Sequence, residues 1–309
     1  MSAPPIQFLI HLGSFTALAG AMFYPCQLVS DLVNVSSGTG VGSIEGYHGA
    51  GDSILISSSR QSAGTIQAGT GLAHYEVENY IETSARVIQK LVFYNNSYHD
   101  SFDPGANSLD DAAVARDKVI FLSGISPDFS SYTSYSNGIN GVMLDVVNLK
   151  SIPDSADFSF KNGNNDSPSS WLDAPNPVSI SVRSAAGLDG SDRVTLIWAD
   201  SAVVSTWLQI QLLEGAEAGF LLDEWYYIGN APGETGDDSL AHVNASDLLR
   251  IRSNLVSIFD PAATTENLFD INRDGFVNAQ DFLITRSNPT SLIDGSALNL
   301  NPMQHPEEE

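Results

Sequence analysis

A stretch of twelve residues occurs twice near the end of the chain, as "VNASDLLRIRSN" at Val243–Asn254 and "VNAQDFLITRSN" at Val277–Asn288, an offset of 34 residues. Val, Asn, Ala, Asp, Leu, Arg, Ser and Asn recur at matching places, so both copies are expected to adopt one local structure. In each, an aspartate, Asp247 or Asp281, opens a helix-like run that ends near "RSN". Two such loop-helix units can bury their apolar faces against each other where neither would persist alone.

The residues before the second run, "FDINRDGFVNAQDF" at 269–282, place Asp270 at position one of a loop, Asn272 at three, Asp274 at five, Gly275 at six, Phe276 at seven, Asn278 at nine and Asp281 at twelve. This is the order of an EF-type calcium loop. Side-chain oxygens converge from one, three, five and twelve, a backbone carbonyl comes from seven, and nine often works through water. Gly275 permits the sharp turn that a Cβ would obstruct, and Val277 is expected to point into a core. The spacing therefore predicts calcium held by Asp270, Asn272, Asp274, Phe276, Asn278 and Asp281.

The first copy departs from this pattern. Counting back from Asp247 puts Gly236 at position one and Leu240 at five, and neither offers a carboxylate. An expanded loop starting at Asn230 in "GNAPGETGDDSLAHVNASD" recruits Asn230, Glu234, Asp237 or Asp238 instead, with Asn244 and Asp247 closing it. A second calcium loop and a vestigial polar loop both remain open.

Charge excludes one class of partner. Thirteen Lys and Arg stand against 37 Asp and Glu, a formal charge of -24, so DNA or RNA would be repelled rather than steered in. Cys26 is the sole cysteine, which rules out an internal disulfide framework and a thiolate zinc site within one chain. The six histidines include no His-Glu-x-x-His pair, there is no Gly-x-Ser-x-Gly elbow, and no catalytic constellation emerges.

The rest of the chain reads as mainly β. Residues 1–28 are apolar, with small residues around Ala17, Ala19 and Ala21. They fit an export signal, an ordinary buried segment of an incomplete start, or a barely sufficient membrane helix. Residues 29–83 are a Ser/Gly-rich β or irregular lead-in, with "SILISS" as a candidate strand. Across 84–222, "RVIQKLVFYNN", "GVMLDVVNL", "DFSFKNG", "VSISVRS", "RVTLIWAD" and "WLQIQLLE" are β-branched and aromatic runs bounded by turn residues. Several alternate, as in Val194, Leu196 and Trp198, which fits antiparallel sheets with one packed and one wet face. A single short helix is expected after Ser108 in "SLDDAAVARDKVIFL". The expected architecture is an antiparallel β-sandwich followed by a small α-helical C-terminal module at 223–292 and an acidic flexible tail at 293–309. "FLLDEWYYIGNAP" at 220–232 is too apolar for a free linker and is expected to join the two tightly.

Two further features are weighed. Asp100, Asp103, Asn107, Asp110 and Asp111 in "YHDSFDPGANSLDD" form an oxygen-rich cluster that reads either as a calcium site or as a turn into a helix capped by Ser108. Trp171, in the polar stretch "SPSSWLDAP", is the candidate sugar contact, whereas Trp198 shares the alternating face of Val194 and Leu196 and belongs to the core.

With these residues in view, the chain from about 223 to 292 resembles a type I dockerin module, whose tandem units are each an EF-type calcium loop followed by a helix. It is also similar to the dockerin-like tails of exported planctomycete proteins, in which a β-rich segment with "FYNNS" and "YTSYSNGING", here Phe93–Ser97 and Tyr132–Gly141, precedes the repeats. The closing Asp281 in place of Glu is typical of dockerins. The resemblance implies calcium as cofactor, a secreted or cell-surface location, and docking onto a cohesin-like or other exported protein domain. Loop positions ten and eleven, which dockerins use for cohesin recognition and which are commonly Ser-Thr, are Ala245-Ser246 and Ala279-Gln280. The expected function is a calcium-dependent protein-interaction or structural module. The alternative is a component of a polysaccharide-degrading system or a carbohydrate-binding sandwich.

Overall fold

A computed structural model of the chain describes four short strands within residues 6–67, and residues 84–301 apart from 123, 216, 221, 237, 238 and 294. The chain divides into two compact units, Met1–Ser84 and Ala85–Glu309. In the first, β1 (Ile6–Phe8), β2 (Val33–Gly38), β3 (Val41–Glu45) and β4 (Thr65–Gln67) form one sheet in that order. Its pairs are antiparallel except β3 with β4. The remaining residues of 1–83, including "SILISS" and most of the apolar N-terminal segment, lie outside the described residues, and the export-signal reading lies there with them. No helix among the described residues is long and apolar enough to cross a membrane.

The second unit is built on two antiparallel sheets. The smaller contains β5 (Arg86–Val92), β8 (Gly141–Val147), β11 (Ser179–Arg183) and β12 (Asp192–Ile197), in the order β11-β12-β8-β5. The larger contains β6 (Phe121–Leu122), β9 (Phe158–Gly163), β10 (Leu172–Asp173), β13 (Trp207–Leu212) and β14 (Glu224–Asn230), in the order β10-β9-β13-β14-β6. A two-residue strand β7 (Tyr132–Thr133) adds to β14 in parallel.

The period of two along each strand places alternate side chains on one face. Val142, Leu144 and Val146 from β8, Val194 and Leu196 from β12, and Trp198 just beyond meet Phe158, Phe160, Leu208, Ile210, Leu212, Tyr226 and Ile228 in one core. Trp198 packs edge-on to Phe160 with ring centroids 5.4 Å apart, and its Nε1 donates to the Pro175 carbonyl at 2.8 Å.

Four expectations need correction. The outer face of the larger sheet is not simply wet, because Trp207 and Tyr227 point outward and are covered by Phe121, Tyr132, Trp171 and Leu298. The strands that looked alternating carry apolar residues on both faces, and tertiary cover decides which faces are dry. The run after Ser108 forms only a short 3-10 helix, Leu109–Ala112, and Ser108 makes no side-chain cap. Two residues of the same run, Phe121 and Leu122, go to β6 instead. Residues 224–230, read from the sequence as the start of the C-terminal module, form β14, a full partner of β13. Finally, Ala297 and Leu298, in the segment expected to be a flexible tail, are buried. Trp207 Nε1 donates to the Asn299 carbonyl at 2.8 Å there, and Asn299 N donates to Asn164 Oδ1 at 2.8 Å. Residues 302–309 lie outside the described residues.

The repeat forms two nine-residue helices, α1 (Ala245–Ser253) and α2 (Ala279–Ser287), packed on each other. Each starts with a capping box in which the Asn244 or Asn278 side chain accepts the amide two residues on, while Asp247 or Asp281 accepts the cap amide. Ile251, Ile271 and Val277 are the buried centre of this module, with Val256, Phe269, Phe282 and Ile284 around them. A two-way backbone bridge between Val256 and Val277, both bonds at 3.0 Å, ties the two loops together.

Candidate metal centre

The second loop closes around buried carboxylates. Asp270 is fully buried and accepts the amides of Asp274 at 3.2 Å and Gly275 at 3.0 Å. Asp281, also fully buried, accepts Ile271 N at 2.7 Å and Asn272 N at 3.3 Å on Oδ1, and Asn278 N at 2.8 Å on Oδ2. Asp274 accepts Phe276 N at 2.9 Å, and Asn278 Oδ1 accepts Gln280 N at 2.7 Å. Gly275 sits at φ 86°, the left-handed conformation that glycine adopts without strain. A Cβ there would also come within 3.0 Å of the Tyr98 ring.

The electrostatics of the loop are those of an anion cluster short of positive charge. Burial pushes the Asp270 carboxyl up to about 7; the charges of Asp281 and Asp274 add to this, and Arg273 opposes it. Burial raises Asp281 as well, against the three amides it accepts. Among the described residues no three acidic, histidine or cysteine side chains are gathered tightly enough to hold a metal by themselves. The side chains are instead turned onto loop amides and onto each other, as Asn272 Nδ2 is onto Asp274 Oδ2 at 2.9 Å. The donor set still suits a hard cation. It is all oxygen, it mixes carboxylates with amide and carbonyl groups as calcium loops do, and its carboxylates carry the charge that a divalent ion would neutralise.

The first loop acquires a register that counting could not supply. Thr235 N donates to Asp247 Oδ1 at 2.9 Å as Ile271 N does to Asp281 Oδ1, and Asn244 N donates to Asp247 Oδ2 at 2.8 Å as Asn278 N does to Asp281 Oδ2. Glu234, just before Thr235 and fully buried, therefore stands where Asp270 stands in the second loop. Gly236 is not position one. The loop is two residues longer than its partner, which is why a fixed count from Asp247 fails.

Of the residues named for this loop, Glu234, Asn244 and Asp247 are brought together. Asn230 is not among them. It ends β14, where its Nδ2 donates to Tyr135 O at 2.9 Å and Thr133 Oγ1 at 3.1 Å and its Oδ1 accepts Ser205 N at 3.0 Å, so its polar atoms are used in joining strands. Asp237 and Asp238 lie outside the described residues. The carbohydrate candidate fails on burial. Trp171 is 6 % exposed, stands edge-on to Tyr227 and donates Nε1 to Asn165 Oδ1 at 2.9 Å, so it presents no open face to a sugar ring.

Sequence reading also missed Arg273. It is the only Lys or Arg between Arg252 and Arg286, a lone cation inside an acidic loop, and that was the available signal. It points away from the loop interior into the sandwich, where it meets Tyr94 and Ser134. The segment Tyr132–Ser136 serves both loops. Thr133 O accepts Ala231 N at 2.8 Å, Ser134 O accepts Gly233 N at 3.3 Å, and Ser136 N donates to Ile271 O at 2.9 Å. Part of "YTSYSNGING" is thus the strut on which both loops rest.

No curated protein and no solved structure matches the chain. The family model of the dockerin type I domain matches residues 240–287, which hold both helices and the whole second loop. That segment is therefore a dockerin type I domain, a calcium-dependent protein-interaction module, joined here to a β-sandwich.

Proposed function

We propose that this chain is an exported protein whose dockerin module takes calcium in both loops and presents its helices to a cohesin-like partner domain. In the second loop Asp270, Asn272, Asp274, the Phe276 carbonyl, Asn278 and Asp281 hold the ion. In the first, Glu234, Asn244 and Asp247 supply part of the shell. The observation that carries this reading is a repeated exposed face. Ala245, Ser246, Leu249, Arg252 and Ser253 of α1 are exposed, and so are their counterparts Ala279, Gln280, Leu283, Arg286 and Ser287 of α2. Leu249 is 62 % and Leu283 55 % exposed, an apolar anchor in each copy. The loops rest on the sandwich while these faces point outward, so calcium would serve folding and docking together.

The test is binding of immobilised full-length protein to isolated cohesin domains, in calcium and in chelator. Binding in calcium alone is expected. It should survive Leu249→Asp or Leu283→Asp singly and be lost in the double variant, because either face can dock. Binding that persists in chelator, or that ignores the double variant, overturns the reading. No observation favours the carbohydrate alternative now that Trp171 is buried.

A further inference from the structure

The repeat runs on past the helices. At the same offset of 34, "RSNLVSIFD" at 252–260 returns as "RSNPTSLID" at 286–294, so each helix is followed by Ser, two large apolar residues and Asp. The two copies form matching turns. Ser257 Oγ accepts the Phe259 amide at 3.3 Å, and Ser291 Oγ accepts the Ile293 amide at 3.1 Å. The residue ahead of each serine is tied to the opposite loop. Val256 pairs with Val277 through backbone bonds at 3.0 Å. Its counterpart Thr290 pairs with Val243, whose amide donates to Thr290 Oγ1 at 2.9 Å and whose carbonyl accepts Thr290 N at 3.1 Å. Asn278 and Asn244, the caps of α2 and α1, come directly after Val277 and Val243. Each turn is therefore fixed between the end of its own helix and the start of the other.

What the turns hold out is apolar. Phe259 is 92 % and Ile293 99 % exposed, more than any other large apolar side chain among the described residues, and Ile258 and Leu292 beside them are exposed too. One exposed apolar residue is ordinary, but the same pair set into solvent twice by the same serine turn makes a repeated apolar patch. Folding does not require it, because the chain covers so little of Phe259 or Ile293. The exposed run also continues from α1 to its turn through Arg252, Ser253, Asn254 and Leu255. We propose that Phe259 and Ile293, with Ile258 and Leu292, are partner-binding anchors, and that the domain docking on a helix face closes an apolar pocket over an adjoining turn, a footprint that rests on the docking role of the helices.

Placement and charge select this occupant. The side chains of one turn fall far short of the roughly 800 Å² that each partner buries in a stable interface, so whatever covers a turn must also cover a neighbouring surface. The turns are related as Leu249 and Leu283 are, so a domain that engages either helix face meets one of them. A second copy of this chain is the poorer fit, because two chains of formal charge -24 repel. Arg252 and Arg286, exposed where the helices lead into the turns, call for an acidic rim around the partner's apolar pocket. The two turns are not equal in chemistry. Phe259 offers an aromatic ring where Ile293 offers an aliphatic chain, so the docking mode that uses Phe259 is the tighter one.

Calorimetric binding of full-length protein to isolated cohesin domains in calcium tests this beside the helix variants. Phe259→Ser/Ile293→Ser should weaken binding by about tenfold, as truncating interface anchors does, with melting temperature and bound calcium unchanged. Phe259→Leu/Ile293→Leu should keep most of the affinity, and Phe259→Ser alone should cost more than Ile293→Ser alone. If Leu249→Asp/Leu283→Asp abolishes binding while Phe259→Ser/Ile293→Ser leaves it intact, the anchors are overturned and the dockerin reading stands. No binding by the unaltered protein would end both. A Phe259→Ser/Ile293→Ser protein that melts lower would make these residues structural. Loss of self-association in sedimentation, with cohesin binding unchanged, would make a second copy the occupant. Either result overturns the proposal.

Discussion

Arg273 lies over the ring of Tyr94, its guanidinium carbon 4.3 Å from the ring centroid, and its Nη2 donates to the Tyr94 hydroxyl at 3.0 Å. The pair is fully buried, and it joins the second dockerin loop to the first turn after β5 of the sandwich. Burial pushes the Tyr94 phenol up to about 12, so it stays neutral and able to accept. The same cation opposes the rise of Asp270. Beside the backbone bonds from Ser136 and Tyr98, the loop is keyed into the sandwich by a side chain that the calcium pattern does not use.

Removing that key should be costly. Arg273→Ala is expected to destabilise by about 3 kcal/mol, since it empties a buried cationic contact and leaves Tyr94 and Ser134 without their donor. Tyr94→Phe, which keeps the ring and loses only the acceptor, should cost about 1 kcal/mol. Urea unfolding measures both, and equal costs for the two variants would show that the ring stacking contributes nothing.

Calcium removal should be felt beyond the dockerin helices. Because both loops rest on Tyr132–Ser136, chelation should lower the melting temperature of the sandwich and tail as one calorimetric transition. Asp270→Asn and Asp281→Asn should reproduce most of that shift in calcium. Two resolved transitions, with only the smaller one moved by chelator, would show that the modules are uncoupled.

The charged cross-strand cluster predicts an acid response. Arg193 lies directly opposite Asp145 and forks onto it through Nε at 2.7 Å and Nη2 at 2.8 Å, while its Nη1 reaches Asp111 at 2.8 Å. Arg183 also grips Asp111. Burial pushes the Asp111 carboxyl up, but the hydrogen bonds and charges of Arg183 and Arg193 outweigh it and hold it below the ordinary carboxylate value. A depressed folded value gives stability that is present above the unfolded value near 4 and is lost as the pH falls through the folded one. Arg183→Gln should therefore lower the urea midpoint by a constant amount from about pH 5 to about pH 8, and the gap should close below about pH 4. A gap that widens in acid would contradict this assignment.

Trp171 should behave as packing. A Cβ on Gly163 would come within 2.3 Å of its indole, so Gly163→Ala must displace a buried ring. Trp171→Ala should cost about 3 to 5 kcal/mol, the usual range for emptying a buried aromatic site. Thermal melts check both. A Trp171→Ala protein as stable as its parent would return the residue to the surface.

The repeat, the second loop and the β character of residues 84–222 were legible in the sequence because each rests on local rules. Eight matched residues in a stretch of twelve impose one local structure twice, and Asp270 to Asp281 carry the donor spacing within a single loop. Alternating apolar residues on β8, β12 and β13 define the core-facing side of each strand. Tertiary structure decided the rest. Only the hydrogen bonds of Thr235 and Asn244 to Asp247 set the register of the first loop, because two extra residues defeat counting. Only packing covers Trp171, which a polar neighbourhood in sequence had suggested was open. The fold alone brings Arg273 to Tyr94 and sets Asp100 beside Asp110, since these meetings depend on strand order and turn geometry rather than on any period or spacing along the chain.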